Sequence, residues 1–230
     1  DQNTALGRSS LPALTTGDNN VGLGMDAGLL TTEGNHNIYI GTEAGAYNTT
    51  GDELILIGYR AGYAINHASD ADGTVAIGYE AGKSITSGIG NVAIGYQALD
   101  AEDDGDYNTA IGYQALTAQT GVSGEVGNTA VGYQAGLALT AGTQNTVMGY
   151  HAGKSLLGGS TNTIIGSEAG KALNNGGSNT IVGRHAAYSL TTGDDNVAIG
   201  QNALYYGAGF SDNVAVGRSA LNYITGEDSV

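Results

Sequence analysis

The sequence predicts an all-β fold: a parallel β-solenoid (β-roll) of about 13 coils with a 17-residue period, running through residues 1–230 as a single repeat domain. Three observations predict it. A glycine-anchored phrase returns in constant phase, apolar residues alternate around that glycine, and the composition suits no other common class. The phrase is Asn-Val-Ala-Ile-Gly-Tyr-Gln-Ala at 91–98, Asn-Thr-Ala-Ile-Gly-Tyr-Gln-Ala at 108–115 and Asn-Thr-Ala-Val-Gly-Tyr-Gln-Ala at 128–135. Its glycine recurs as Gly7, Gly24, Gly41, Gly58, Gly78, Gly95, Gly112, Gly132, Gly149, Gly166, Gly183, Gly200 and Gly217. Successive anchors stand 17 residues apart, with steps of 20 at Gly58–Gly78 and Gly112–Gly132 that read as surface excursions at a turn.

Around the anchor each position has a physical reading. The residue before it is aliphatic in every repeat, from Leu6 to Val216, and the residue three before it is β-branched, from Thr4 to Val214. These share parity, so they point to one face of a short strand. That face is expected to be the core column, with Ile111 a member. The other parity is mostly Ala, then the glycine, which leaves a nearly bare face against which something can pack closely. Three after the anchor stands Ala, except at Ser10, and seven after it comes a looser aliphatic column: Leu14, Ile65, Ile85, Leu139, Leu156, Leu173, Leu190 and Ile224. Gly28, Gly45, Gly62, Gly82, Gly136, Gly153 and Gly170 sit four after their anchors. Each would cost about 1 kcal/mol in a helix, so the segment reads as turn and strand. A 17-residue unit cannot enclose a core alone, but stacked coils can.

The composition agrees. The chain has 40 Gly, 1 Pro, 14 Tyr, 1 Phe and neither Trp nor Cys. Gly does not fall at every third residue and Pro is nearly absent, which excludes collagen. Regularly placed Ile, Val, Leu and Ala exclude disorder. No apolar run approaches the roughly 20 residues of a membrane helix, and no leader pattern stands at the N-terminus. Without Cys there is no disulfide framework and no thiolate chemistry. The net charge of −15 argues against nucleic acid, whose phosphates require a basic face.

Side-chain ladders supply the candidate functional features. Asn stands four before the anchor in most repeats, among them Asn3, Asn20, Asn37, Asn91, Asn145, Asn162 and Asn179. Stacked amides hydrogen-bond along a fibre axis, and Asn tolerates the backbone of a corner, so this ladder reads as architecture. Just after the anchor come Tyr59, Tyr79, Tyr96, Tyr113, Tyr133 and Tyr150, followed in three repeats by Gln97, Gln114 and Gln134. This strip is the candidate ligand-binding surface, with Glu80 and His151 beside it; its competing role is a stabilising ladder or subunit contact. The seven basic residues follow the anchor closely, whereas many acids, including Asp52, Asp70, Asp72, Asp106, Asp194 and Asp212, fall in the turn before the next strand. Such an edge reads as a solvated face that keeps fibres apart.

Several motifs resemble chemistry without its spacing. Gly78–Ser84 and Gly149–Ser155 look like phosphate-binding loops but are one residue short between glycines, and no helix pattern follows. Asp100–Gly105 resembles the start of a calcium loop, but the closing position is Ile111. A weak cation at this turn is the competing reading to a solvated acidic turn. His36, His67, His151 and His185 share no ligand spacing, no Ser–His–acid set stands out from the repeat, and Asn48-Thr49-Thr50 is the single glycosylation sequon. The expectation is a protein that is not an enzyme, with no cofactor and no metal.

The recurring Asn-(Thr/Val)-Ala-Ile-Gly phrase resembles the head repeats of YadA-type trimeric autotransporter adhesins. The longer Asn-Thr-Ala-Ile-Gly-Tyr-Gln-Ala-Leu at 108–116 resembles repeats of bacterial and bacteriophage tail-fibre proteins even more. The resemblance implies a left-handed roll, three chains side by side, an extracellular place on a cell surface or virion, and adhesion to a host or surface glycan. The 17-residue period departs from the shorter adhesin-head repeat. Both ends enter or leave in mid-repeat, as expected of a segment of a longer fibre. The expected function is therefore a structural fibre or adhesin segment that mediates attachment, as a homotrimer. The alternatives are a monomeric ice-binding solenoid, motivated by Thr109, Thr129, Thr146, Thr163 and Thr180, and an extracellular filament subunit that stacks end to end. A glycan depolymerase would need paired, sheltered carboxylates, and the acids here lie on turns.

Overall fold

The structure, a computed structural model, describes residues 2–66, 71–120 and 123–223. His67, Asp70, Ile224 and the segment Thr225–Val230, each read above from the sequence, lie outside the described residues. Two compact units divide the chain: Asp1–Ile111 with Thr120–Val126, and Gly112–Gln119 with Gly127–Val230. Among the described residues the protein is all β, with no helix, and it forms a parallel β-solenoid with the 17-residue period.

In the first unit the strands are β1 (Thr4–Leu6), β2 (Val21–Leu23), β3 (Ile38–Ile40), β4 (Ile55–Ile57), β5 (Val75–Ile77), β6 (Val92–Ile94), β7 (Gly105–Asp106), β8 (Thr109–Ile111) and β9 (Gly124–Glu125). From β1 to β6, and from β6 to β8, each main strand pairs in parallel with the next, one repeat on: Val21 lies opposite Ile38, and Val75 opposite Val92. The short β7 pairs with β9, so part of the second 20-residue step rejoins the stack. In the second unit β10 (Thr129–Val131), β11 (Thr146–Met148), β12 (Thr163–Ile165), β13 (Thr180–Val182), β14 (Val197–Ile199) and β15 (Val214–Val216) follow the same rule.

The parity of the strands is as read from the sequence, but the faces are exchanged. In the main strands after β1 the middle residue is buried, as Leu56, Ala76, Ala93, Ala130, Ile164 and Ile181 show, and the two flanking residues are half-buried or exposed. Leu6, Leu23, Ile111, Met148, Ile199 and Val216 are among the exposed large hydrophobics, so the aliphatic column before the anchor is the outer face and Ile111 is not core. The Ala parity faces inward. Alternation identifies which residues share a face; the space inside the coil decides which face is enclosed.

That space is narrow, and the coils fill it in complementary ways. Where the position four after the anchor is Gly, the position seven after it is a buried aliphatic: Gly82 with Ile85, Gly136 with Leu139, Gly153 with Leu156, Gly170 with Leu173. A Cβ at Gly82 would stand 2.9 Å from Ile85 Cδ1. In three coils that first position is a fully buried Leu and the second is not aliphatic: Leu99 with Glu102, Leu116 with Gln119, Leu204 with Gly207; in the first coil Leu11 is buried and Leu14 stays half-buried. Tyr39 is the extreme case, fully buried between Gly28 and Gly45, where a Cβ would lie 2.8 Å and 2.4 Å from its ring carbons. The neighbouring seventh positions become Asn48 and Thr31, both of which hydrogen-bond the phenol oxygen, at 2.6 Å and 3.3 Å. Burial pushes the Tyr39 phenol up to about 12.

Two devices hold successive coils in register. The anchor glycines take φ values of 118–139°, and a Cβ on Gly149 would lie 2.6 Å from the carbonyl oxygen of Gly166 in the next coil. Left-handed conformation and close stacking thus both require Gly there. The Asn ladder is the second device. Asn145, Asn162, Asn179 and Asn196 are buried, and each Oδ1 accepts from the backbone N–H of the next Asn at 3.0–3.1 Å. Each Nδ2 donates to a turn carbonyl 14 residues on, as Asn162 does to Gly176 at 2.8 Å. The left-handed corner residue is the one before the Asn: Asn19, His36, Gln144, Thr161 and Ser178 have φ of 56–60°. The Asn itself serves by its amide rather than by tolerance of that backbone.

Candidate functional site

The tyrosine strip forms as a stack within each unit. Tyr59, Tyr79 and Tyr96 stack at 5.2 Å and 5.1 Å between ring centroids in the first, and Tyr113, Tyr133 and Tyr150 at 5.2 Å and 5.4 Å in the second. The interplanar angles run from 8° to 25°, so ring follows ring almost face to face. Strand spacing dictates this, because the column repeats once per coil. Tyr79, Tyr96, Tyr113, Tyr133 and Tyr150 are exposed on the single chain, and Tyr59 is half-buried beneath the Arg60 guanidinium, 5.0 Å from its ring. The inner rings turn their faces to one another. A ligand would meet ring edges and a row of phenol groups, not the open aromatic platform on which a sugar ring stacks.

The residues beside the strip also bond along the stack. Gln97 Nε2 donates to Glu80 Oε2 at 3.1 Å, and Gln134 Nε2 to Gln114 Oε1 at 2.9 Å. His151 Nε2 lies 3.0 Å from Gln134 Oε1. The candidate hydrogen-bonding partners of a ligand are therefore committed in part to the ladder. All stand two after the anchor at φ of 50–54°, a left-handed position shared by non-glycine residues in every coil, which no sequence signal marked.

That column continues into a charged cluster. Glu168 accepts from Lys171 Nζ at 2.8 Å and lies 3.0 Å from His185 Nε2 and 3.8 Å from His151 Nδ1. The Lys171 ammonium holds the Glu168 carboxyl below the usual carboxylate range, and burial pushes the His151 imidazole down. Two histidines without a ligand spacing in the sequence thus meet one carboxylate, because all three stand two after an anchor in successive coils and one column of the solenoid carries them.

The acids of the turns are not merely solvated. Asp52 Oδ1 accepts from the backbone N–H of Asn35 at 2.6 Å, Asp72 from Asp52 at 2.7 Å, Asp106 from Ile89 at 2.8 Å and Asp194 from Gly177 at 2.7 Å. Each caps an amide in the preceding coil. Glu102, Asp103 and Asp104 each bring a carboxylate oxygen within 4.8 Å of the others. Glu102 is buried; its Oε1 takes the backbone N–H of Gly105 at 2.9 Å and of Asp103 at 3.1 Å, while Oε2 has no partner. Burial pushes its carboxyl above the usual range. The first of these bonds reproduces the turn cap made by Asn48 with Gly51 N at 2.9 Å. The segments after Gly78 and Gly149 are turns with left-handed Glu80 and His151, so neither offers a helix N-terminus to a phosphate.

The feature hidden from the sequence is the outer sheet face. In each unit it carries two in-register ladders of apolar and Thr side chains. The second unit has Thr129, Thr146, Thr163 and Thr180 in one ladder and Val131, Met148, Ile165 and Val182 in the other. Among the described residues no helix is long and apolar enough to cross a membrane. Protein-family models, curated proteins and solved structures were all compared with the chain, and none matches it.

Proposed function

We propose that this chain is a segment of an extracellular fibre or adhesin that associates as a homotrimer through its outer sheet face and attaches to a surface. The observation that carries the reading is the exposure of the Val/Ile/Thr ladders. The side chains before the anchor reach 36–67 % exposure at Leu6, Leu23, Ile111, Met148, Ile199 and Val216, where a monomer would place polar groups. The chosen occupant is a second and third copy of the chain. A strip that repeats once per coil is matched in spacing by an identical strip, and closed cyclic symmetry lets each copy bury it. The tyrosine strips then suit weak, repeated contacts with a repetitive surface, where avidity replaces single-site affinity. Light scattering or native mass spectrometry tests the assembly: a mass three times the 23.0 kDa of one chain is expected. A stable monomer overturns it. Ile165→Lys with Val182→Lys should return the trimer to folded monomers.

A second reading is supported by one observation. Thr129, Thr146, Thr163 and Thr180 lie in register on the outer face, at the strand spacing of a parallel sheet. A monomer with this face free could present an ordered row of hydroxyls and methyls to ice. Thermal hysteresis at micromolar protein would favour it over the fibre; none would close it.

A further inference from the structure

Away from the tyrosine strips, the second unit carries a cleft of about 280 Å³ lined by His185, Asn202, Tyr205, Tyr206, Asn222 and Tyr223. Its residues come from three columns of successive coils: two after the anchor, five after it and six after it. The last column is mostly Ala or Ser, as at Ala118, Ala138, Ser155, Ala172 and Ser189, and becomes Tyr in two consecutive coils only at Tyr206 and Tyr223. Two large rings therefore rise beside a surface that is otherwise low, and they make one wall.

The walls are ordered before any ligand arrives. Tyr206 and Tyr223 are joined by a parallel backbone bridge, and their rings stack at 4.5 Å and 18°. Tyr205 meets Tyr206 edge-on at 4.5 Å and stacks on Tyr188 at 5.1 Å. His185 is held by Glu168 at 3.0 Å. Such ordering lowers the entropy lost on binding. Tyr223 is 73 % exposed, and its partner Tyr206 covers one face of the ring.

The lining offers two amides, three phenols and an imidazole, without a carboxylate, ammonium or guanidinium. The nearest charged pair, Glu168 and Lys171, is internally matched at 2.8 Å. The Oδ1 atoms of Asn202 and Asn222 are covered and lack partners. Rotation about the soft second torsion of Asn brings either end of each amide toward the cleft, and a hydroxyl serves either end because it both donates and accepts. A ligand dense in hydroxyls and without charge meets these demands, in a chain whose own charge of −15 repels anions. The volume falls just below the roughly 300 Å³ at which pockets for drug-sized molecules begin, which suits about one sugar ring.

We propose that this cleft binds a neutral saccharide, with the free face of Tyr223 packing on the sugar and Asn202 and Asn222 bonding its hydroxyls. The inference deepens the attachment role and rests on it for the source of the sugar, but the two are measured separately: sugar binding by ligand NMR, assembly by mass. The probes are methyl glycosides of glucose, galactose, mannose and N-acetylglucosamine at millimolar concentration, with the full chain and saturation-transfer detection. The expected result is transfer to at least one of them, with affinity at least tenfold weaker, about 1.4 kcal/mol, in Tyr223→Ala and in Asn222→Ala, and unchanged in Tyr107→Ala, at an exposed tyrosine outside both the cleft and the strip. Circular dichroism checks each fold; should Asn222→Ala unfold, the exposed Tyr223→Ala decides alone. No transfer to any of the four sugars, transfer indifferent to Tyr223→Ala, or a preference for sialic acid overturns the proposal.

Discussion

The side-chain oxygen of Asn162 accepts two hydrogen bonds from Asn179 in the next coil, one from the backbone N–H and one from Nδ2, both at 3.0 Å. Both residues are buried, so the bonds are shielded from water. Asn162→Ala leaves the Asn179 N–H and the Gly176 carbonyl without these partners, and each buried unpaired group costs about 1–3 kcal/mol. The expected loss is about 3 kcal/mol in urea unfolding. Asn3→Ala, at a half-buried position with the same acceptor role toward Asn20, should cost less. Equal costs at the two sites would contradict a burial-dependent ladder.

Gly149→Ala tests the stacking of the anchors. The new Cβ would stand 2.6 Å from Gly166 O at a φ of 134°. Backbone strain alone is on the order of 3 kcal/mol, and the contact adds to it. Gly127→Ala is the control, because its φ of 62° is also left-handed but nothing lies within 4 Å of the added carbon. That change should cost about 1–2 kcal/mol. A difference between the two variants larger than the roughly 1–2 kcal/mol by which their backbone strain differs measures the contact between coils.

Glu102→Gln should stabilise the protein at neutral pH. Burial raises the folded-state pKa of Glu102 above its unfolded value, so the folded state resists ionisation. The wild type then loses stability as pH rises from the ordinary carboxylate range through the raised value, and the loss is complete above it. Gln119 occupies the equivalent place in the next repeat, fully buried, with Oε1 accepting from Asn128 at 2.9 Å. Glutamine therefore fits such a site. Denaturation midpoints from pH 4 to 8 should show a flatter profile for the variant. A wild-type midpoint that rises with pH while the variant's does not would refute this account.

Tyr133→Ala should destabilise the second unit, because Tyr133 stacks on Tyr113 and on Tyr150. Each aromatic pair contributes about 0.5–1.5 kcal/mol beyond its burial, so the loss is about 1–3 kcal/mol by thermal or urea unfolding. Tyr133→Phe keeps both contacts and should lie within about 0.5 kcal/mol of the wild type. If the Phe variant loses as much as the Ala variant, the hydroxyl row, and not the stack, is what the strip contributes.

The repeat was legible because a solenoid writes its geometry into the chain once per coil. The anchor glycines, the Asn ladder and the tyrosine column are each needed at a fixed phase, and their reasons are local: a left-handed backbone, a repeated amide contact, a repeated stack. The charged cluster was less legible. The phase puts His151, Glu168 and His185 in one column, each two after its anchor, but that the two imidazoles turn toward one carboxylate is decided by the side-chain packing. The cleft at Tyr206 and Tyr223 could have been flagged as two large residues in a column of Ala and Ser, but its enclosure depends on how Tyr205 and His185 turn.

The sequence by itself determined the period, the strands and the pairs of residues that share a face, because backbone alternation and glycine stereochemistry act within one coil. Only the tertiary structure decided which face is inside. Two branched side chains per strand cannot fit within a coil already holding the Ala after the anchor and one large residue such as Leu99 or Ile85. Volume, a property of the closed coil and its stacked neighbours, therefore turns Ala93 inward and Val92 and Ile94 outward.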